Sequence, residues 1–443
     1  MMSSHRSRLS AVAGLAVLSM LAAACASSGG KSSGNGLTAS DTGITAKTIT
    51  IGSHQPLTGI AAPGYSEIAP AANAYFSYVN AHGGVYGRKI DYKYLNDQYN
   101  PTMTSTDVHQ LILQDKVFAI FNGLGTPTHL AVASFINSEH VPDVFVASGC
   151  ECWNATSTLP DTFGWQLDYV REGKILGSYI KQHFKGQKIG FFYQNDEFGQ
   201  DGVKGLSYEI PKSQIVAKQS YDPTNIKIGP QVAALKAAGA QVVVAYTVPA
   251  FTALLKLNML GLKYTPQLVV SDVGSDPITL AGLLAAFAKN KTAGFGNSLT
   301  QGIITDSYLP SLGQMSNSWI KLFHGIYEKY LASKVPNFDG NVLYGMAVGY
   351  TFVQAMFKAG RNPTRADLIS AINKGLPQGV AVAPFAYSTS DHNGIEGAYM
   401  GTIKNGVLVP TTGVYATDDT PTGAITADST PQPAAPSSGI PSP

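Results

Sequence analysis

Two apolar rhythms alternate along this chain. Thr48 to Gly52, TITIG, reads as a strand, and a Gly/Pro loop follows it over residues 53–64. Ile68, Ala72, Tyr75, Phe76 and Val79 then fall on one face of a helix, which Gly83 and Gly84 end. Ile90, Tyr92 and Tyr94 alternate with Asp91 and Lys93, as a strand does. Asn100 and Pro101 start the next helix, with Val108, Leu111 and Ile112 on its buried face. The rhythm continues through strands over 117–121, 144–147, 188–193, 215–221, 242–246 and 268–272. Helices over 169–184, 198–210, 231–238 and 251–260 are interleaved with the later strands.

Strands that alternate with helices predict parallel sheets covered on both faces. There are too many strands for one sheet of ordinary width, so the expected architecture is α/β with two doubly wound parallel-sheet lobes. The last third reads differently, as long helices over 314–331 and 340–359, a helix over 363–373, and strands over 382–387, 398–403 and 407–409. It has no βαβ series of its own and is expected to complete the two lobes. Ligands of such sheets bind beyond the carboxyl ends of strands. That rule singles out the loops 53–65, 122–127, 148–153, 194–199, 247–249 and 272–276.

The two ends differ from this body. His5, Arg6 and Arg8 precede an uncharged apolar run, Leu9 to Ala24, which closes on Leu21-Ala22-Ala23-Ala24-Cys25. The run is short for a membrane span and has the flanks of an export signal. Its closing cysteine is similar to a bacterial lipobox, although Ala22 stands where leucine is commonest. Residues 1–25 are therefore expected to be a lipoprotein signal, with Cys25 lipidated and residues 26–45 a flexible Gly/Ser tether. Residues 413–443, rich in Pro, Ser, Thr and Ala, are expected to be disordered.

Composition narrows the function classes. Of 443 residues only 13% are charged, and without Arg6 and Arg8 the basic residues equal the 28 acidic ones. A neutral surface with no basic stripe argues against a nucleic-acid partner. Catalytic constellations are missing too: the chain has no GxSxG, no HExxH and no phosphate loop. No metal or cofactor is expected, since the nine histidines are scattered along the sequence.

Two stretches carry more information. Thr126-Pro127 opens a helix after a strand, and free N–H groups at such a start suit an anion; the same signature also serves a helix that merely caps itself. SGCECW, residues 148–153, holds two of the three cysteines and one of the three tryptophans. A disulfide between Cys150 and Cys152, free buried thiols, and metal or redox chemistry all stay open from the sequence.

The order of these loops resembles the type I periplasmic solute-binding proteins, specifically the leucine/isoleucine/valine-binding receptors of ABC importers. The pieces that carry it are IGSHQPLTGIAAPGYSE (51–67), NAHGGVYGRKIDYKYLND (80–97), DEFGQDG (196–202) and DHNGIEGAY (391–399). The resemblance covers about 46–412 and implies two lobes joined by three crossovers, with a cleft between them. It places the crossovers near 164–169, 294–300 and 392–396. Lobe 1 is then 46–166 plus 297–393, and lobe 2 is 167–296 plus 394–412.

The resemblance also implies contacts. The family's carboxylate-binding serine falls on Gly125, beside Thr126. A second loop of the first lobe falls on Gly149, Cys150 and Glu151. A closing aromatic falls on Phe198, another contact on Thr247 or Val248, and the acidic partner of a ligand amine near Asp272. With Tyr65, Trp153 and Tyr193 these predict an aromatic pocket for an amino-acid-like or apolar solute bearing a carboxylate or amide. The expected protein is a monomeric receptor outside the cytoplasm, held to the membrane by its lipid and partnered by importer permease subunits. Its rivals are a sensor of the same fold, an envelope enzyme and a structural lipoprotein.

Overall fold

The computed structural model describes residues 36–442. The residues expected to form the export signal, with Cys25 and the first part of the expected tether, lie outside that range. Sheet one contains β1 (Thr48–Gln55), β2 (Lys89–Asn96), β3 (Ile120–Phe121), β4 (Asp143–Val146) and β5 (Thr162–Gly164). Its order is β2-β1-β3-β4-β5, and every pairing is parallel.

Sheet two contains β6 (Ile189–Gln194), β7 (Ile215–Tyr221), β8 (Val242–Tyr246), β9 (Gln267–Val270), β10 (Ile304–Ser307), β11 (Gly397–Lys404), β12 (Val407–Ala416) and β13 (Thr426–Asp428). Its order is β13-β12-β11-β10-β9-β8-β6-β7. The pairings are parallel from β7 to β10 and antiparallel from β10 to β13. The two sheets give the two α/β lobes. Central strands such as Val242–Tyr246 are buried along their whole length, as parallel strands covered by helices on both faces must be.

Helix starts follow their caps. The side chains of Asn100, Asp168 and Asn317 each accept two backbone N–H groups at helix starts, and Thr364 and Asp367 form a capping box. The long helices Ser318–Tyr330 and Gly340–Ala359 return to sheet one and pack on helix Ile68–Ala81. There Tyr75 lies 6.0 Å from Phe323 and 5.9 Å from Tyr350, ring centre to ring centre.

Four expectations on boundaries are corrected. Ile304–Ser307, assigned above to lobe 1, pairs with β9 and β11 in sheet two, so the chain returns to lobe 1 after β10 and not over 294–300. Residues 382–387 form no strand and make only an isolated bridge between Phe385 and Ile395, while the strand over 117–121 shrinks to Ile120–Phe121. The tether ends earlier than expected, because Ile44 is buried and the Thr38 N–H donates to Asn362 Oδ1 at 2.9 Å.

The tail is also corrected. Residues 413–443 include the end of β12 and all of β13. Beyond them Trp319 Nε1 donates to Pro433 O at 2.7 Å, and Tyr75 OH donates to Gly439 O at 3.0 Å. Composition misleads here because much of the tail is held through backbone carbonyls, which any sequence carries, with the Gln432 side chain and a few apolar residues adding to them.

The first and third crossovers run side by side. Gly164 N donates to His392 O at 3.0 Å, and Ile395 N donates to Trp165 O at 3.0 Å. A Cβ at Gly394 would sit 2.0 Å from Trp165 O, so this close approach requires glycine.

Candidate functional site

A cavity of about 510 Å³ lies between the lobes, beyond the strand ends. That volume is in the range of small-molecule sites, roughly 300–1,000 Å³. Lobe 1 supplies Tyr65, Tyr99, Gly125, Thr126 and Tyr344 to its walls, and lobe 2 supplies Tyr169, Phe198, Val248, Asp272, Asp306, Tyr308 and Tyr399. The expected aromatic character is present, carried mostly by tyrosines.

Five predicted residues line this space: Tyr65, Gly125, Thr126, Phe198 and Asp272. Gly125 takes φ 102°, which favours glycine, and sets the chain to enter helix Thr126–Ser138. No side chain caps that helix. Thr126 Oγ1 instead pairs with Ser148 Oγ at 2.7 Å, so the helix start meets the cavity with its dipole uncompensated.

The other five are placed elsewhere. Trp153 is 1% exposed, packs with Val146, Cys150 and Leu159, and donates Nε1–H to Ser148 O at 3.0 Å. It is a core residue of lobe 1 and not a pocket wall. Gly149 accepts the Tyr169 N–H through its carbonyl at 2.7 Å, at the foot of the first crossover. Thr247 is buried with Oγ1 2.6 Å from Thr252 Oγ1, and Val248, the other position implied for that contact, reaches the cavity. Tyr193 is also absent from the walls.

Cys150 and Cys152 are joined in a disulfide, their Cα atoms 5.1 Å apart. The bridge brackets Glu151, and Glu151 faces lobe 2. Its N–H donates to Asp201 Oδ2 at 2.9 Å, and its carboxylate pairs with Lys204. This loop is a contact between lobes. Tyr65 OH donates to Val273 O at 2.7 Å, and Gln194 Nε2 donates to Tyr99 OH at 3.2 Å, also from lobe to lobe. The lobes therefore touch across the cleft, as in a closed receptor.

The acidic wall is larger than the single Asp272 expected. The Asp272 N–H is shared by Glu172 Oε1 at 2.9 Å and Asp306 Oδ1 at 3.1 Å. Burial pushes Glu172 up to about 7 and holds Asp272 and Asp306 well above the carboxylate range, each further raised by a neighbouring acid. Asp276, also a wall residue, is pushed up to about 7 by burial and by Asp339.

Several residues escaped the sequence reading. Asp306 lies in β10, a strand lost in a Gly/Thr-rich stretch, and Tyr308 lies just beyond it. Tyr344 sits inside a helix, where no loop rule looks. Tyr99 follows β2 and was within reach of the strand-end rule.

A buried chain behind the helix start was also missed. Asp97 Oδ2 lies 2.7 Å from His54 Nδ1, His54 Nε2 lies 2.9 Å from His129 Nδ1, and His129 Nε2 lies 2.8 Å from Asp143 Oδ2. Two carboxylates and two imidazoles thus form one continuous hydrogen-bonded chain through the core. These groups are fully buried and ground the helix start in the lobe 1 core. Among the described residues no cluster of three or more His, Cys, Asp or Glu is arranged to hold a metal ion. Nor is any described helix long and apolar enough to cross a membrane.

Comparison with known proteins agrees with this geometry. A family model described as periplasmic binding protein matches residues 48–407. The Leu/Ile/Val-binding protein homolog 3 of Brucella melitensis is 26% identical over 205 residues, which is 44% of this chain and 53% of that protein. The chain thus matches about half the length of this curated relative. A Thermus thermophilus branched chain amino acid ABC transporter protein with bound valine superposes with TM-score 0.72 at 19% identity, covering 84% of this chain and 97% of that one. A fatty acid ABC transporter substrate-binding protein of Thermomonospora curvata superposes with TM-score 0.69 at 21% identity, covering 84% and 93%.

Proposed function

The chain belongs to the periplasmic binding protein family, and from that premise we propose that it is the solute receptor of an ABC importer, working outside the cytoplasm. The family is one of transporter solute-binding proteins and not of enzymes. The observation that carries the reading is a cavity of about 510 Å³ walled by both lobes, with Tyr65 bonded to Val273 across its mouth.

The walls favour an amino-acid-like solute with an apolar or aromatic body. The helix start at Gly125 and Thr126 suits its carboxylate or amide oxygen, and Asp272 suits its amine. Tyr65, Tyr169 and Phe198 would hold the body, with Tyr169 and Phe198 4.7 Å apart, ring centre to ring centre. Gly149, Cys150, Glu151, Trp153 and Thr247 act behind or beside the site in this reading. Lipidation at Cys25 would tether the receptor beside its permease, and the support for that is the signal anatomy of residues 1–25.

Native mass spectrometry of freshly purified protein tests the reading, because a closed receptor retains its solute. The expected result is a bound small molecule that contains nitrogen and is released on unfolding. A protein that stays unliganded, and whose melting does not shift with amino acids, amides or amines, would overturn it.

A further inference from the structure

The floor of the cavity gathers more carboxyl groups than the single amine of a zwitterion can pair. Asp272, Asp276 and Asp306 line it, with Glu172 directly behind, and no lysine or arginine is among the wall residues. The basic wall residue, His324, already faces Glu328 at 3.6 Å. Asp306 is 1% exposed, and no donor group meets its Oδ2, whose side-chain neighbour is the equally acidic Glu172. Glu172 Oε2 is equally unpartnered and buried. A buried carboxylate oxygen left without a donor is costly, and a cavity wall is where a ligand can supply one.

The rest of the wall suits the same guest. Tyr308 and Tyr399 flank the acids, and Tyr344 and Phe198 add further π-faces. Ring faces attract cations and give nothing to anions. We propose that the cleft selects an organic cation: an amine or amidine with an apolar body whose positive charge is not cancelled by a carboxylate of its own. The inference rests on the receptor reading and departs from its amino-acid-like solute. Burial and the neighbouring acids raise the carboxyls of Asp272 and Asp306, and a cation settling beside them opposes that shift and favours release of their protons.

The test compares probes that share a body and differ in head charge: phenethylamine, 3-phenylpropanoate and phenylalanine. Each is titrated calorimetrically into the full-length protein near pH 7, in two buffers of different ionisation enthalpy. The inference expects phenethylamine to bind at least about tenfold tighter than 3-phenylpropanoate, with proton release. Asp306→Asn should weaken phenethylamine by about tenfold or more and leave 3-phenylpropanoate unchanged or tighter. Equal or tighter binding of 3-phenylpropanoate to the native protein overturns the inference, and that comparison decides even if the variant fails to fold. If phenylalanine binds and phenethylamine does not, the receptor reading stands and this inference fails. If phenethylamine alone binds, the inference stands and the amino-acid reading fails.

Discussion

The hydroxyl of Tyr65 donates to the carbonyl of Val273 at 2.7 Å, which ties the loop after β1 to the loop after β9. The bond exists only while the lobes are together. Tyr65→Phe keeps the ring in the cavity wall and removes this tie. A hydrogen bond of this kind contributes about 0.5–1.5 kcal/mol, so the solute should leave about 2–10 times faster. Melting of the empty protein should barely change. Stopped-flow dissociation of the co-purified solute measures the effect, and an unchanged rate would show that the contact takes no part in closure.

Trp153 tests the corrected site. It is 1% exposed and stands edge-on to His129 with ring centres 5.1 Å apart. Trp153→Ala should therefore cost about 3–5 kcal/mol of stability through a cavity in lobe 1. Denaturant unfolding reads that loss directly. Affinity measured well below the new melting temperature should stay close to that of the native protein. A large loss of affinity with stability intact would return Trp153 to the pocket.

The sequence resolved the fold better than the site. Alternating and helical apolar patterns located β1, β2 and the helices, and short continuous apolar runs located β6 and β8, which are buried almost throughout. The strand-end rule then found Tyr65, Thr126, Phe198 and Asp272. It failed at Trp153, because a loop beyond a strand has two sides and the sequence does not say which side a ring takes. The same ambiguity hid the role of Glu151, which points to lobe 2. Asp306 was lost with its strand, and the His54–His129 pair joins residues 75 positions apart, beyond any local pattern.

Stability should depend on pH through the raised carboxyls. Burial pushes Glu172, Asp201, Asp276 and Asp339 up to about 7 and Asp168 up to about 6. Each takes up a proton on folding wherever the pH lies between its unfolded value and its native one. The folded chain then binds more protons than the unfolded chain, so stability falls as pH rises through that window. The benefit is fully present below the unfolded carboxyl values and lost by about pH 7. The empty protein should melt higher at about pH 5.5 than at about pH 8. Scanning fluorimetry across this range measures it, and a melting temperature that climbs with pH would contradict the assignment of these groups.

The C-terminal strap is the last device to test. β13 extends sheet two, pairing Val414 with Asp428. Just before it, the buried Lys174 amine donates to Asp418 O and Thr420 O, both at 2.7 Å. Beyond β13 the chain reaches lobe 1, where Trp319 donates to Pro433 O at 2.7 Å and Tyr78 OH to Ser438 O at 2.7 Å. One segment thus holds both lobes and should resist their opening. Two truncations separate its roles. Ending the chain after Ala416 strips the acceptors from Lys174 and leaves a buried charge unpaired, so melting should fall steeply. Ending it after Asp428 keeps β13 and the Lys174 contacts and removes only the lobe 1 attachment. That shorter deletion should lower melting modestly, enlarge the unliganded protein in small-angle scattering, and speed solute release several-fold, because closure then relies on Tyr65 and the Glu151 loop. If it leaves scattering and release as they are, the strap is a passive cover on helix Ser318–Tyr330 and the hinge is restrained elsewhere.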